Sequence, residues 1–276
     1  LRIWISLQIG IIGGSGIYDL EFLTERKQHA LTTPYGEPSD VMTLGLLDGV
    51  ECVWLPRHDR AHRIMPSKIN YRANIWALYS LGCTHILATS AAGSLQEHIK
   101  PGDFVILDDF YDQTKQRKTT FYEGEIGDPS GVLHIPGNEP FCVETRLVLK
   151  EACKRILSDR LYQSRVHEQG CVVVVEGPRL SSKSESKVFH SLGFDVINMS
   201  TIPEVLLAKE LGICYAMVAL VTDWDSWNDS KQSVTFESVA MQLKDNIHLL
   251  GKIVREAVKV IKEREQYWPL IYQEKQ

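Results

Sequence analysis

Short apolar runs recur along the chain, each stopping abruptly in glycine, serine or a charged residue, with stretches of helical spacing between them. The first, Gln8 to Ile12, closes on Gly13-Gly14-Ser15-Gly16, and Val41 to Leu55 holds two more, hinged at Leu47-Asp48-Gly49. From Pro66 to Leu81 the apolar positions Ile69, Ala73, Trp76, Ala77 and Leu81 share one helical face, with Pro66 suited to a first turn and Gly82 to a C-terminal cap. Strand-like and helical runs then alternate: His85 to Thr89, Phe104 to Leu107, a helix over 143–157, Cys171 to Val175, a helix over 182–192, Val196 to Asn198, a helix over 203–211, Tyr215 to Val221, and a long helix over 236–265. Such alternation predicts an α/β fold, a three-layer α/β/α sandwich about a central mixed sheet. No linker, repeat or low-complexity tract interrupts it, so the chain is expected to form a single domain over 1–276.

With 44% hydrophobic residues among 276, such a chain can bury a substantial core. The formal charge is -5, with Lys and Arg scattered rather than clustered, which argues against a nucleic-acid or anionic-membrane partner and leaves a small molecule. Cys52, Cys83, Cys142, Cys153, Cys171 and Cys214 lie far apart with no C-x-x-C and no metal-ligand spacing, which suits reduced thiols in a cytoplasmic setting, with the nucleus also open to it, and no bound metal. The opening LRIWISLQIGII runs straight into a glycine turn without a small-residue cleavage site, so it reads as a first strand rather than a leader. As position 1 is not Met, the natural N-terminus is expected to lie elsewhere. No apolar run reaches the ~20 residues of a membrane helix.

One segment, Asp112 to Pro140, carries seven glycines and prolines with no sustained period, anchored by Phe121, Tyr122, Leu133, His134 and Ile135. Irregular stretches of this length in a compact domain usually serve as a lid or a subunit contact.

In open α/β sheets, ligands collect beyond the carboxyl ends of strands, and four strand ends here carry unusual residues. Gly13-Gly14-Ser15-Gly16 can turn sharply and offer several N–H groups to an anion, with the Ser15 hydroxyl as a further donor. It is not a dinucleotide fingerprint, because Asp19 stands where a third glycine or alanine is required. Arg57-His58-Asp59-Arg60-Ala61-His62 offers a guanidinium for two parallel hydrogen bonds to an oxyanion and an imidazole of adjustable charge. Thr89-Ser90-Ala91-Ala92-Gly93-Ser94 is small enough for a ligand to approach the backbone. Asn198-Met199-Ser200-Thr201 precedes Pro203 and Glu204, so Ser200 or Thr201 is suited to an N-cap as well as to a ligand.

A fifth feature is Thr222-Asp223-Trp224-Asp225, at the end of a buried run. If the segment stays extended, Asp223 and Asp225 point the same way about 6.6 Å apart, with Trp224 turned away into packing. Two acids on one small site repel, raising the pKa of one so that it can donate a proton near neutral pH. Such a pair suits a nitrogenous heterocycle as leaving group, one carboxyl protonating a ring nitrogen and the other accepting from an exocyclic amine. Oxyanion sites facing a carboxylate pair imply a sugar between them and phosphorolysis as the reaction.

The motifs IGIIGGSGIYD, RHDRAHRIMPSKINYRANIWAL, TSAAGSL, PGDFVILDDFYDQT, HIPGNEPFC, VVVEGPRLSS, DVINMSTIPEVLLAKELGICYA and TDWDSW occur in this order over almost the whole chain. Together they resemble the methylthioadenosine-cleaving members of the trimeric nucleoside phosphorylase family. The resemblance implies a nucleoside phosphorylase-like sandwich and cleavage of S-methyl-5'-thioadenosine to adenine and 5-methylthioribose 1-phosphate, without a cofactor, inorganic phosphate being a co-substrate. It assigns phosphate binding to Ser15, Arg57, His58, Ser90, Ala91 and Ser200. It places Met199 beneath the ribose and Asp223 and Asp225 on the adenine, with Asp223 nearest the ring nitrogen; Ala92, Gly93, Leu180, Ser181 and Asn198 complete the nucleoside side. His134 resembles a residue lent to the neighbouring subunit's pocket, so a homotrimer is expected. Leu180 stands where relatives usually carry phenylalanine, so aliphatic packing replaces stacking on the base. Three rival readings stay open: a phosphorylase for adenosine or 6-oxopurine nucleosides, a nucleosidase using water, and a non-enzymatic nucleoside-binding protein on the same fold. A carboxylate at Asp223 repels a carbonyl oxygen and favours the aminopurine.

Overall fold

The computed structural model describes residues 7–14, 23–124, 131–158, 162–229 and 236–265, with the side chains of 236–240 and 245 left aside. Among the described residues, eleven strands form one mixed sheet: β1 (Gln8–Gly13), β2 (Thr24–His29), β3 (Met42–Leu47), β4 (Val50–Pro56), β5 (His85–Ser94), β6 (Phe104–Ile106), β7 (Asp109–Gln113), β8 (Val166–His167), β9 (Cys171–Val175), β10 (Val196–Asn198) and β11 (Cys214–Asp223). The described residues also form five α-helices: α1 (Tyr71–Ser80), α2 (Val143–Leu157), α3 (Lys183–Ser191), α4 (Thr201–Glu210) and α5 (Phe236–Glu263).

Alternation along β11 shows why both faces are covered. Tyr215, Met217, Ala219 and Val221 pack with α1 and α4 in one core cluster, whereas Ala216, Val218 and Leu220 pack with α2 and α5 in another. A strand buried on both faces reads as an unbroken apolar run, and that is how this one reads. The helices answer with residues one turn apart, such as Val148, Leu149, Ala152 and Cys153 on α2 and Ile253, Val254, Ala257, Val258 and Ile261 on α5, all at most 1% exposed. Each of the buried Val, Leu and Ile side chains contributes roughly 1.5–3 kcal/mol.

What positions the site is a parting of the sheet along β5. This strand pairs in parallel with β1 only from His85 to Ala88, and antiparallel with β10 only at Gly93 and Ser94. β11 follows its other edge from His85 to Gly93. Thr89 to Ala92 thus lies in a fork with neighbours on one side, where the sheet exchanges one partner for another; crevices at such switch points hold ligands.

Several expectations need correcting. The helix begins at Tyr71, not Pro66: Pro66–Lys68 forms a separate 3-10 turn, and the Asn70 side chain caps α1 by accepting from Ala73 N at 3.2 Å. β5 runs on to Ser94 instead of ending at Thr89. β2, β7 and β8 have no counterpart in the hydrophobic pattern: β2 is TERKQH, exposed at five of six positions, and β7 an exposed edge. Residues 1–6 of the expected first strand lie outside the described residues.

Candidate active site

Gly14, the last described residue of the first turn, donates its N–H to Thr89 Oγ1 (3.1 Å). A β-carbon here would lie 2.5 Å from the Thr89 carbonyl oxygen and 2.9 Å from Arg57 Nη1, so only glycine allows the turn to approach the fork. Arg57 follows β4 and is fully buried. Its Nε and Nη2 meet Glu204 Oε1 and Oε2 of α4 at 2.5 and 2.9 Å, and Nη1 donates to the Thr89 carbonyl (2.8 Å). Burial alone would lower the Arg57 pKa, but Glu204 more than compensates and keeps the guanidinium charged. Tyr215 donates to Glu204 Oε2 at 2.8 Å and completes the network. The bidentate edge expected for phosphate is therefore occupied by Glu204, and only the remaining N–H groups of Arg57 can reach an anion.

His58 is held by a closed loop: Ile64 N donates to the His58 carbonyl (3.2 Å), and His58 Nδ1 lies 2.8 Å from the Ile64 carbonyl. The ring lies against His62, tilted at 33° with centroids 4.6 Å apart. Burial, then the Arg57 charge, pushes its pKa down to about 4, so in the unliganded chain His58 is neutral near pH 7.

Ser90 sits in the fork; its hydroxyl donates to the Ala91 carbonyl (2.8 Å) and accepts from Asn198 Nδ2 (3.1 Å). Asn198 also donates to Thr201 Oγ1 at 2.8 Å, tying β5 to the start of α4. Ser200 is the residue before α4, yet its side chain makes no capping bond, which leaves the buried hydroxyl available to a ligand. Ile202 is non-helical, so the regular helix begins at Pro203.

The two acids meet by a different route from simple alternation. β11 ends at Asp223 after a register shift against β5, and Asp225 adopts φ 47° in a turn whose N–H donates to Asp223 Oδ1 (2.8 Å). Both carboxylates then border Gly93, where a β-carbon would come within 2.9 Å of Asp223 Oδ1 and 3.2 Å of Asp225 Cβ. Burial is the first cause raising Asp223 to about 6, and the Asp225 charge is the weakest; repulsion between the acids is thus a minor contribution. Asp225 is raised chiefly by burial too, while the nearby Ser186 and Ser181 hydroxyls pull it down. Thr222 Oγ1 lies 2.7 Å from Asp223 Oδ2 and 3.3 Å from the Ala92 carbonyl, so its single proton can serve either. Asp225 Oδ2 is buried with no hydrogen-bond partner among the described residues, an acceptor left open to a ligand.

Around the acids, Ser226 N donates to Ser186 Oγ (3.1 Å) and Ser226 Oγ to the Ser181 carbonyl (3.3 Å), fastening the turn to the start of α3. Leu180 is 44% exposed, with its carbonyl held by Arg179 Nη1. Met199 Sδ would lie 2.5 Å from a β-carbon at Gly177, whose φ is 65°, so glycine is required there twice over. Trp224 is half-buried, edge-on to Trp227. His134 lies exposed beside exposed Val132 and Leu133, making no hydrogen bond, ion pair or ring contact among the described residues. Ser15 lies outside the described residues. Glu204, Tyr215 and Thr222 are supporting residues that spacing does not reveal; an acid in the first turn of α4, ahead of the apolar run Val205 to Ala208, is the available signal for Glu204.

A fork that joins hydroxyls, a buried guanidinium and a histidine to a half-buried Asp223 and a buried Asp225, both with elevated pKa, has the makings of a glycosyl-transfer site. The model of the phosphorylase superfamily matches residues 8–259, and the chain belongs to that superfamily. Within it, the S-methyl-5'-thioadenosine phosphorylase of Danio rerio is 48% identical over 91% of this chain and 88% of its own length, and that of Xenopus tropicalis 48% over 92% and 88%. The structure of methylthioadenosine phosphorylase from Schistosoma mansoni in complex with adenine matches with a TM-score of 0.87 at 42% identity, covering 93% of this chain and 92% of that one.

Proposed function

We propose that this chain cleaves S-methyl-5'-thioadenosine with inorganic phosphate, giving adenine and 5-methylthioribose 1-phosphate, a step of purine and methionine salvage. The observation that carries the reading is the buried Asp225 Oδ2, without a hydrogen-bond partner among the described residues, beside Asp223 and bordering the same strand that presents Ser90. A buried acceptor suits the exocyclic amine of adenine and repels the carbonyl of a 6-oxopurine. Asp223, near pKa 6, holds a proton in a usable fraction of molecules and donates it to the ring nitrogen as the bond from base to C1' breaks and its electrons pass to the base. Positive charge developing on the ribose is met by phosphate held at Ser90, Ser200, Arg57 and His58, an oxygen of which forms the new bond to C1'.

The test is product identification after incubation with S-methyl-5'-thioadenosine, with and without phosphate. Adenine and the 1-phosphorylated sugar appearing only with phosphate support the reading; adenine released equally in its absence, or faster cleavage of inosine, defeats it.

His134, Val132 and Leu133 are the face we assign to a second copy, in a homotrimer that lends His134 to the neighbouring pocket; their exposure, and the grip of Lys209 Nζ on the carbonyls of Pro136, Asn138 and Glu139, support this. A monomeric mass by sedimentation would refute it. The compartment we propose is the cytoplasm, extending to the nucleus, consistent with six cysteines none of which is in a disulfide.

A further inference from the structure

Among the residues assigned to the phosphate, His58 has its ring proton fixed by the backbone. A carbonyl oxygen can only accept, so the 2.8 Å contact of His58 Nδ1 with the Ile64 carbonyl fixes the ring proton on Nδ1. A neutral imidazole with Nδ1–H has a lone pair on Nε2, and Nε2 makes no hydrogen bond among the described residues. The tautomer is reinforced from both sides, since the reciprocal bond from Ile64 N to the His58 carbonyl closes the 58–64 loop. Within it, Asp59 and His62 take left-handed φ of 62° and 54°, and Asp59 Oδ1 accepts from Ala61 N and Arg63 N. The ring therefore cannot easily turn to offer a different nitrogen.

We propose that the site reads a proton on its anion: His58 Nε2 accepts a hydrogen bond from an O–H of the bound phosphate, so that hydrogen phosphate is preferred over an oxyanion without a proton, such as sulfate. The inference rests on the assignment of His58 to the phosphate site above and states which form of the co-substrate that site takes. No proton changes hands on binding; the O–H stays on phosphorus's oxygen and points at the imidazole.

The charges around the ring favour this arrangement over an imidazolium donor. Arg57 is adjacent and keeps its charge, although Glu204 of α4 faces it. His62 lies tilted against the ring, and its own pKa is lowered by burial. Among the described residues, Asp59 is the nearby acid that would favour a charged ring, and it is engaged by Arg63 at 2.7 Å. An imidazolium would thus stand beside an arginine in a buried place, which agrees with the depressed His58 pKa. A lone pair aimed at an anion penalises a ligand that has only lone pairs to return, because a site built to bind an O–H rejects the analogue lacking it.

The experiment is titration calorimetry of the full chain with inorganic phosphate and with sulfate, in two buffers of different ionisation heat. At about pH 8 free phosphate is already the dianion carrying one O–H. The expected result is phosphate binding with almost no proton uptake, and sulfate binding at least ~10-fold weaker. As pH falls, sulfate affinity rises, with uptake approaching one proton as His58 is drawn into its charged form. The His58→Gln variant, whose side-chain amide can donate, brings sulfate to within roughly threefold of phosphate. Sulfate as tight as phosphate at this pH in the unaltered chain, or phosphate binding that takes up a full proton, overturns the inference. Failure of the underlying assignment looks different: phosphate affinity then ignores His58→Gln, Ser200→Ala and Arg57→Met alike.

Discussion

Glu204→Gln removes one charge and almost no volume from the network that holds Arg57. Arg57 and Glu204 are both fully buried, joined by two hydrogen bonds, with Tyr215 as a third party on Oε2. An amide oxygen can still accept from one Arg57 N–H, but the amide NH2 then confronts either a second guanidinium donor or the Tyr215 hydroxyl, which must reverse its bond. The guanidinium cannot lose its proton, so it stays charged without a counter-ion. Breaking one side of a buried pair costs about 3–5 kcal/mol. For a chain of this size each kcal/mol moves Tm by roughly 2–4 °C, so the variant should melt roughly 6–20 °C lower by calorimetry. The double variant Arg57→Met with Glu204→Leu removes both charges, and buried pairs exchanged for apolar residues are often neutral or stabilising. It should recover most of the lost Tm while phosphate-dependent cleavage stays abolished. Glu204→Gln melting within about 2 °C of the unaltered chain would refute the claim that this pair is uncompensated when broken. Full phosphorolysis in the double variant would refute the role given to Arg57.

Asp223 supplies a pH prediction. Its carboxyl is raised from 3.8 to about 6, so the extra proton held by the folded state stabilises it fully below pH 3.8 and that contribution is lost as pH rises through about 6. In kcat/KM for the nucleoside, activity should fall above about pH 6 in the free chain, with the limb displaced upward in kcat because bound base removes further water from the acid. Asp223→Asn should flatten that limb and lower kcat by ~100-fold or more; an unchanged pH profile would contradict the assignment. Gly93→Ala forces a β-carbon against Asp223 Oδ1 at 2.9 Å and should cost about 100-fold in kcat/KM with little loss of helix by circular dichroism. Asn198→Ala removes the donor that fixes Ser90, and should raise KM for phosphate about tenfold while KM for the nucleoside stays put, as steady-state kinetics with each substrate varied will show.

The sequence makes legible whatever is written in local pattern. Strands such as CVVVV and CYAMVALVT announce themselves because both faces are buried, and the small or charged residues that end them mark the ligand side. A strand such as TERKQH does not, since its stability comes from pairing with β3 and not from burying its own side chains. The fork of β5 is invisible for a related reason: TSAAGS has no periodicity to show where one neighbour leaves and another arrives. The Asp223–Asp225 pair is visible as composition, but its geometry depends on a left-handed turn at Asp225 that alternation does not foresee. Its raised pKa comes mainly from burial, a property of packing, more than from the repulsion that proximity suggested. Glu204 lies 147 residues from Arg57 in the chain, and only folding brings them together.

The most direct measurement is a crystal structure of this chain with adenine and phosphate bound at once. Adenine should place its amine on Asp225 Oδ2 and a ring nitrogen on Asp223, with phosphate across a pentose-sized gap on Ser90, Ser200 and His58. Adenine and phosphate found in separate clefts, or phosphate remote from β5 while activity persists, would contradict the account.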